Sequence, residues 1–467
     1  MNDCFQVSTA KVSEQRWITD GAWITGLVGC VSIFVIAIMA YQQQWLDLGI
    51  NVFGLFHVQG HINVQLFSLI LASLFMCLSE LIRLLLINPT NFFNLAPELR
   101  EKKYLKLLAK CTWRYLCYLA IVAGVTYFYQ SASEYGFDRN ASYYQAWFAM
   151  NHYLYNAFLW AGLPYVIITY SFKYDRNKEL NSYHRLIEFV LSKILNKLKI
   201  SHIFYPIDNE RLKKISLGLI VRIFFIPLMT VFFTHHFPHL VSNFGYLIDH
   251  LPTQLSLGNY NHAHFNKDLI NIAKPVIFTI DVTLAWCGYV LTSRWLDNET
   301  QSTEPTLFGW LVCLISYPPF QLVGLFIYIP GDGTISQISN QYLVSFFSIL
   351  IIASFLIYTA STVVFGVRFS NLTHRGIIRT GPFSLVRHPA YSSKNIGWWL
   401  GVFPAAIYLY FSGSISLSFL MAGTLGLVVK TTWYYFRAIT EEQHLSCDPS
   451  YQEYCQQVKH RFIPKLI

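Results

Sequence analysis

Residues 376–391 read Gly-Ile-Ile-Arg-Thr-Gly-Pro-Phe-Ser-Leu-Val-Arg-His-Pro-Ala-Tyr, and residues 437–445 read Arg-Ala-Ile-Thr-Glu-Glu-Gln-His-Leu. The segment between these blocks is predominantly apolar and long enough for two helices that form a hairpin. Such a hairpin brings Arg387, His388 and Pro389 face to face with Glu441 and Glu442 at one membrane surface. An ordered group of ionisable residues at the edge of a bilayer indicates a functional site.

Outside these blocks, the composition defines the class of fold. Of the 467 residues, 54% are hydrophobic and only 13% are charged, which excludes an ordinary soluble protein. Apolar runs long enough to cross the hydrocarbon core as helices recur along the chain. The sequence predicts an all-α, polytopic transmembrane protein with a C-terminal helical hairpin and about ten spans. The predicted spans are 21–41, 61–78, 113–129, 146–172, 215–233, 275–291, 307–329, 342–367, 396–410 and 415–435.

The net charge of +9 does not indicate nucleic-acid binding, because the basic residues alternate between loops. Loops 42–60, 130–142 and 330–341 contain Arg139 and no lysine, whereas the intervening loops are rich in lysine and arginine. By the positive-inside rule, this alternation places both termini and the 368–394 loop in the cytoplasm. We therefore expect a multi-pass integral membrane protein with a cytoplasmic site.

The largest basic loop, 174–214, divides the chain. Within it, residues 186–199 have apolar side chains at helical spacing with lysines between them, which is typical of an amphipathic helix at a membrane surface. We predict two membrane modules: 1–213, which includes this cytoplasmic insertion, and 214–467, which includes the hairpin.

Histidines invite a metal-site interpretation that their spacing does not support. Six of them lie between residues 235 and 264, and His57 and His61 stand four apart, but neither group matches a standard zinc pattern. The nine cysteines contain no Cys-x-x-Cys pair. We expect no metal, interfacial histidines and buried thiols.

Two ionisable residues lie deeper in predicted spans, Arg222 in the fifth and Asp281 in the sixth. Such residues usually face a partner or a wet cavity. Two interpretations stay open: a direct contact between them, or the lining of a substrate cavity.

The C-terminal motifs resemble the isoprenylcysteine carboxyl methyltransferase and phospholipid methyltransferase superfamily of membrane enzymes. The resemblance covers about the last fifth of the chain, and its three blocks occur in the family's order. They are the Arg-His-Pro-x-Tyr block that ends at Tyr391, the Arg437 to Leu445 block, and a closing segment with Tyr451, Tyr454, Arg461 and Pro464.

The resemblance implies methyl transfer from S-adenosylmethionine to a lipid or lipid-modified substrate. It implies catalytic roles for Arg387, Arg437 and Glu442. It also implies a cofactor pocket formed by Arg387, His388, Pro389, Tyr391, Glu441, Glu442, Tyr454 and Arg461. Carboxylates suit the ammonium and ribose hydroxyls of this donor, and Arg or His suits its carboxylate. Ser392 to Lys394 stand where relatives often have glycine, so a carboxylate and an amine acceptor both stay open.

Two other functions remain as alternatives. An NADPH-dependent sterol-type reductase has a similar architecture and a similar tail, here Tyr451 to Cys455, but those enzymes usually carry Asn where this chain has Ala390. A non-enzymatic transporter or sensor with a vestigial methyltransferase module would account for Glu80 and Arg83 in the N-terminal spans.

Overall fold

A computed structural model describes residues 18–87, 92–131, 142–197, 207–318, 320 and 335–465. The described chain is mostly helical. Two antiparallel strand pairs are its only sheets, β1 (Ile50–Val52) with β2 (Phe56–Val58) and β3 (Ser302–Thr303) with β4 (Thr373–His374). The helices of eight or more residues are α1 (Ala22–Gln42), α2 (His61–Ile87), α3 (Tyr104–Ser131), α4 (Ser142–Ser171), α5 (His184–Lys197), α6 (Asn209–Gly245), α7 (His262–Val290), α8 (Leu307–Leu314), α9 (Gln341–Val363), α10 (Pro389–Phe411), α11 (Leu417–Leu445) and α12 (Pro449–Gln457).

Six of the described helices are long and apolar enough to cross a membrane: α1, α2, α3, α6 with its continuation to Ser256, α7 and α9. They coincide with six of the predicted spans. Large side chains on their surfaces are exposed, among them Leu86 at 80% and Leu105 at 85%. Because exposed apolar surface of this extent is unfavourable in water, the fold indicates a helical membrane protein.

The other four predicted spans have a different outcome. Helices α4, α10 and α11 form over three of them but carry more polar side chains, such as Asn151 in α4 and Lys394 in α10. The fourth begins as α8, which ends at Leu314 just before the Tyr317-Pro318 step, and most of its remainder lies outside the described residues. The count of ten spans stays a prediction.

The main core lies between α1, α2, α6 and α7 and contains both aromatic and small side chains. Phe225 of α6 stacks on Tyr289 of α7 with ring centroids 5.0 Å apart. A Cβ atom on Gly288 would approach the carbonyl oxygen of Phe369 to 2.2 Å. Small residues let membrane helices and loops pack closely. Gly288 thus allows the segment after α9 to lie directly against α7.

A buried ion network also fixes this segment. The Glu80 carboxylate of α2, which is fully buried, accepts hydrogen bonds from Thr25 (2.6 Å), Arg83 (2.7 Å) and Arg368 (2.7 Å). Glu80 and Arg83 thus form an ion pair within α2, and Arg368 is an additional partner. The network ties α2 to the turn Gly366–Arg368, from which the chain enters the motif loop.

Candidate functional site

The site is built where the two ends of the α10–α11 hairpin meet. Arg387 lies two residues before α10, and its Nε donates to Oε1 of Glu442, at 2.8 Å, near the end of α11. Nε2 of His388 lies 3.1 Å from the same oxygen. Helices α10 and α11 are antiparallel and joined by residues 412–416, so the two motif blocks lie face to face.

Local sequence explains how α10 begins at this point. Pro389 occupies the first position of the helix, where its fixed φ is suitable and its missing N–H is not needed. His388 is the residue before it, and its side chain makes no capping bond to the helix. The imidazole is therefore available to Glu442. Upstream, Gly381 has a φ of +61°, a left-handed conformation that favours glycine, and Pro382 follows it in a 3-10 turn.

The C-terminal tail crosses the same place as an extended strap, residues 458–462. The backbone N–H groups of Arg387 and His388 donate to the carbonyl oxygens of His460 (3.0 Å) and Arg461 (2.8 Å). The Arg461 side chain donates through Nε to Oε2 of Glu442 at 2.9 Å. One carboxylate thus binds the loop before α10 and the strap together.

The charge of Glu442 follows from these partners. Burial by itself would raise the pKa of this carboxyl, but hydrogen bonds and charge from His388 and Arg387 lower the pKa to about 2. Burial opposes the charge of Arg387, yet its bond to Glu442 raises the pKa of the guanidinium above its ordinary value. Glu442 and Arg387 are therefore both charged at neutral pH.

A cavity of about 180 Å³ lies beside this network. Glu441 lines this cavity, whereas Glu442 does not. Of the two adjacent glutamates, only Glu441 could therefore contact a ligand in the cavity. Pro389 and Arg461 do not line the cavity either. The predicted site residues that line the cavity are Arg387, His388, Tyr391, Arg437, Glu441 and Tyr454.

Tyr391 connects the two charged residues of α11 that line the cavity. Its hydroxyl donates to Oε1 of Glu441 at 2.6 Å, and the Arg437 guanidinium lies over its ring, 5.2 Å from the centroid. Arg437, which is 5% exposed, donates to Oδ1 of Asn371 at 2.6 Å. Tyr391 thus lies between Arg437 and Glu441, and Arg437 has no ion-pair partner among the described residues.

Tyr454 mainly contacts the motif loop and not the charged residues of the site. Its hydroxyl donates to the carbonyl oxygen of Phe383 at 2.7 Å, and its ring packs in a small cluster with Tyr451 and Ile378. Tyr454 therefore holds α12 against the motif loop while one of its edges lines the cavity.

Several cavity residues were missed by the sequence reasoning. Asn371 and Arg375 belong to the polar run immediately before Gly376, and this proximity to the motif could have identified them. Glu304 and His444 lie on another wall, and Nε2 of His444 is 2.8 Å from the Ser302 hydroxyl. Burial lowers the pKa of His444 to about 4, so this imidazole is neutral at neutral pH.

The structure decides between the two interpretations of the deep ionisable pair. Asp281 accepts hydrogen bonds from Tyr358 (2.6 Å) and Thr362 (2.8 Å), both on α9. Arg222 instead lines a second, larger cavity. A direct Arg222–Asp281 contact is therefore wrong, because α9 satisfies the aspartate.

The histidines of α6 lie close together, with the rings of His235 and His236 4.9 Å apart. Within the described ranges, no group of three or more His, Cys, Asp or Glu side chains is arranged to hold a metal ion.

The small cavity offers groups that suit the amino-acid part of S-adenosylmethionine. Glu441 is a carboxylate for an ammonium or a ribose diol, and Arg437 is a guanidinium without an ion-pair partner in the described chain. Tyrosine rings can contact adenine or a cationic sulfonium. The volume is below the roughly 300 Å³ of most ligand pockets, so binding of the whole donor requires the cavity to open.

No protein-family model, curated protein or solved structure matches the chain. The six apolar helices among the described residues indicate a helical membrane protein. Any finer assignment rests on the residues of the site.

Proposed function

We propose that the protein is an integral membrane S-adenosylmethionine-dependent methyltransferase that acts on a lipidic or lipid-anchored acceptor. One observation carries the proposal: the small cavity, lined by Arg437, Glu441 and Tyr391, adjoins the hydrogen-bonded network of Arg387, His388 and Glu442. In this arrangement, groups that could recognise the donor lie next to a loop whose backbone is hydrogen-bonded to the strap.

The donor supplies an activated methyl group on a sulfonium, and transfer mainly requires that donor and acceptor be held in line. In the proposal, Glu441 binds the donor's ammonium or ribose hydroxyls and Arg437 binds its carboxylate. Tyr391 fixes the Glu441 carboxylate through its 2.6 Å hydrogen bond. Burial of Arg437 strengthens its interaction with an anionic group, because the surroundings are less polar than water.

Glu442 is a positioning residue in this proposal. It holds the strap across the start of α10 through Arg387 and Arg461. Because the cavity is small, its walls have to move apart for the donor to enter. In the proposal this site lies at the cytoplasmic face, which the basic residues of the 368–394 loop support.

Ligand binding by the detergent-purified protein is the first test. We expect S-adenosylmethionine and its demethylated product to raise the thermal unfolding temperature, and NADPH to leave it unchanged. A ligand that binds only the folded state stabilises it by about 2.7 kcal/mol at a hundredfold excess over its Kd. Stabilisation by NADPH alone would instead support a reductase and overturn the proposal.

Variants of the cavity wall are the second test. Glu441→Gln keeps the shape of the side chain and removes its charge, so we expect about ten- to a hundredfold weaker donor binding. His388→Ala should weaken donor binding and abolish turnover. The exposed His262, far along the chain on α7, provides the control His262→Ala with unchanged affinity. If His262→Ala weakened donor binding while Glu441→Gln bound the donor normally, the donor site would not be the small cavity.

A further inference from the structure

The large cavity, which we call the chamber, has a volume of about 910 Å³. It lies between α3, α4 and α6 and is closed on one side by the segments 292–301 and 375–376. The proposed methyl transfer at the small cavity does not use it, and nothing in the C-terminal motifs accounts for it.

The chamber is amphipathic along its length. On α6, Lys214, Gly218 and Arg222 are spaced by four residues and share one face at its polar end. Ile226 and Pro227 continue the α6 wall, and Val122 and Val125 of α3 contribute to an apolar end. The α6 wall from residue 214 to residue 227 is about 20 Å long at 1.5 Å per residue.

The acidic residues at the polar end are already paired. Asp297 accepts from Lys173 at 2.7 Å, and Glu299 lies 2.6 Å from Nζ of Lys178. Their negative charge is therefore engaged by these lysines.

Three cations of the chamber wall have no ion-pair partner among the described residues: Lys214, Arg222 and Arg375. Arg375 is 3% exposed; its Nη1 donates to the carbonyl of Gly288, whereas Nε and Nη2 have no hydrogen-bond partner. Nε of Arg222 also lacks a partner, and this guanidinium lies over the Tyr183 ring, 5.1 Å from its centroid.

A buried guanidinium without a counter-ion is strongly unfavourable. Burial, and then the neighbouring charge of Arg222, lowers the pKa of Arg375 to about 9, so Arg375 stays protonated at neutral pH. Its positive charge therefore requires an anion that the described residues do not supply.

We propose that the chamber binds the phosphate of an anionic amphiphile between Arg222 and Arg375, with the acyl chain along the apolar end. Planar guanidinium groups suit a phosphate because they can donate two parallel hydrogen bonds. A membrane lipid and free inorganic phosphate share this chemistry. The apolar end favours the lipid, because a free ion would leave that end without an occupant.

Gly218 provides a way to block the chamber without changing its charge. A Cβ atom there would meet the Thr303 hydroxyl at 3.6 Å and the Tyr183 hydroxyl at 3.8 Å, which are ordinary contacts. Alanine therefore fits at this position, whereas a leucine side chain would extend into the chamber between Lys214 and Arg222.

The experiment uses the full-length protein in a neutral detergent. Short-chain phosphatidylglycerol, phosphatidylcholine of the same chain length and inorganic phosphate are compared by thermal unfolding and binding titration. We expect the strongest binding with phosphatidylglycerol. Arg222→Gln and Arg375→Gln should each weaken it about tenfold or more. The control Arg211→Gln removes a charge from the same helix outside the chamber, where Asp208 is its partner, and should bind normally.

Two more readouts separate ligand binding from a structural role. Without added anion, Arg375→Gln should unfold at the same temperature as the unmodified protein or higher, because an uncompensated buried charge is removed. Gly218→Leu should abolish lipid binding while Gly218→Ala retains it.

Equal binding of phosphatidylcholine and phosphatidylglycerol, or full binding by Arg222→Gln, would overturn the proposal. Inorganic phosphate that binds as tightly as the lipid would overturn the assignment of a lipid occupant. These measurements need no methyl donor, so they succeed or fail independently of the proposed methyltransferase function.

Discussion

At the scale of single side chains, the neighbouring glutamates of α11 have different surroundings. Glu442 is held by Arg387, His388 and Arg461, whereas Glu441 lines the small cavity with one hydrogen bond from Tyr391. The sequence spacing predicts that both lie near the site. It does not distinguish them, because that distinction depends on the path of the tail across the start of α10.

The first prediction concerns the pH dependence of this network. The pKa of Glu442 is about 2 in the folded protein against 4.5 for an ordinary glutamate. A lowered pKa stabilises the folded state fully above about pH 4.5, and this contribution is lost as the pH falls toward 2. At neutral pH it is on the order of 2–3 kcal/mol.

The measurement is the unfolding temperature of the unmodified protein and of Glu442→Gln between pH 7 and pH 3. We expect the unmodified protein to be more stable at pH 7 and the difference to narrow steadily below pH 4.5. A difference that stays constant over this range would show that the carboxylate charge does not hold the strap.

At the scale of secondary-structure elements, the hairpin followed from the sequence more directly than its surroundings. Two apolar segments of helical length with a Ser-Gly-Ser connection are sufficient to predict α10 and α11. The position of the 364–388 loop depends on contacts distant in sequence, such as Arg368 with Glu80 and Phe369 with Gly288. No local pattern carries that information, so the contacts of Asn371 and Arg375 could not be predicted, although both residues lie next to the motif in the sequence.

The second prediction tests how α2 holds this loop. Glu80→Gln leaves Arg83 and Arg368 buried without a carboxylate, and breaking a buried ion network in this way costs about 3–5 kcal/mol. We expect a large fall in unfolding temperature together with weaker donor binding. The matched control is Glu101→Gln, since Glu101 pairs with Lys103 on the surface and both side chains are 56% exposed. Equal stability of the two variants would contradict the assigned role of Glu80.

At the scale of the whole molecule, composition and charge predicted a helical membrane protein, and six apolar helices agree with it. The positions of charged residues in the sequence were not sufficient to predict the chamber, because its walls come from segments that are distant in sequence. Its walls come from three helices and several connecting segments, and the sequence left open whether Arg222 contacts Asp281 or lines a cavity.

The third prediction concerns sidedness. If the motif loop and the tail are cytoplasmic, cysteine introduced at Leu385 should be protected from a membrane-impermeant maleimide in intact cells, whereas cysteine at Phe53 should react. Leu385 and Phe53 are 64% and 94% exposed, so burial in the protein does not limit either reaction. After the cells are opened, both positions should react. Labelling of Leu385→Cys in intact cells would place the site on the other face of the bilayer.

Arg375 lines both the chamber and the small cavity, so the two share one charged residue. An anion bound on one side changes the electrostatic potential on the other, and such coupling is reciprocal by thermodynamic necessity. If an anionic lipid changes the Kd for S-adenosylmethionine by some factor, the methyl donor must change the Kd for the lipid by the same factor. We expect titrations in both directions to give equal ratios, and Arg375→Gln to bring both ratios to one. Membrane composition would then set the affinity for a soluble metabolite through a single guanidinium.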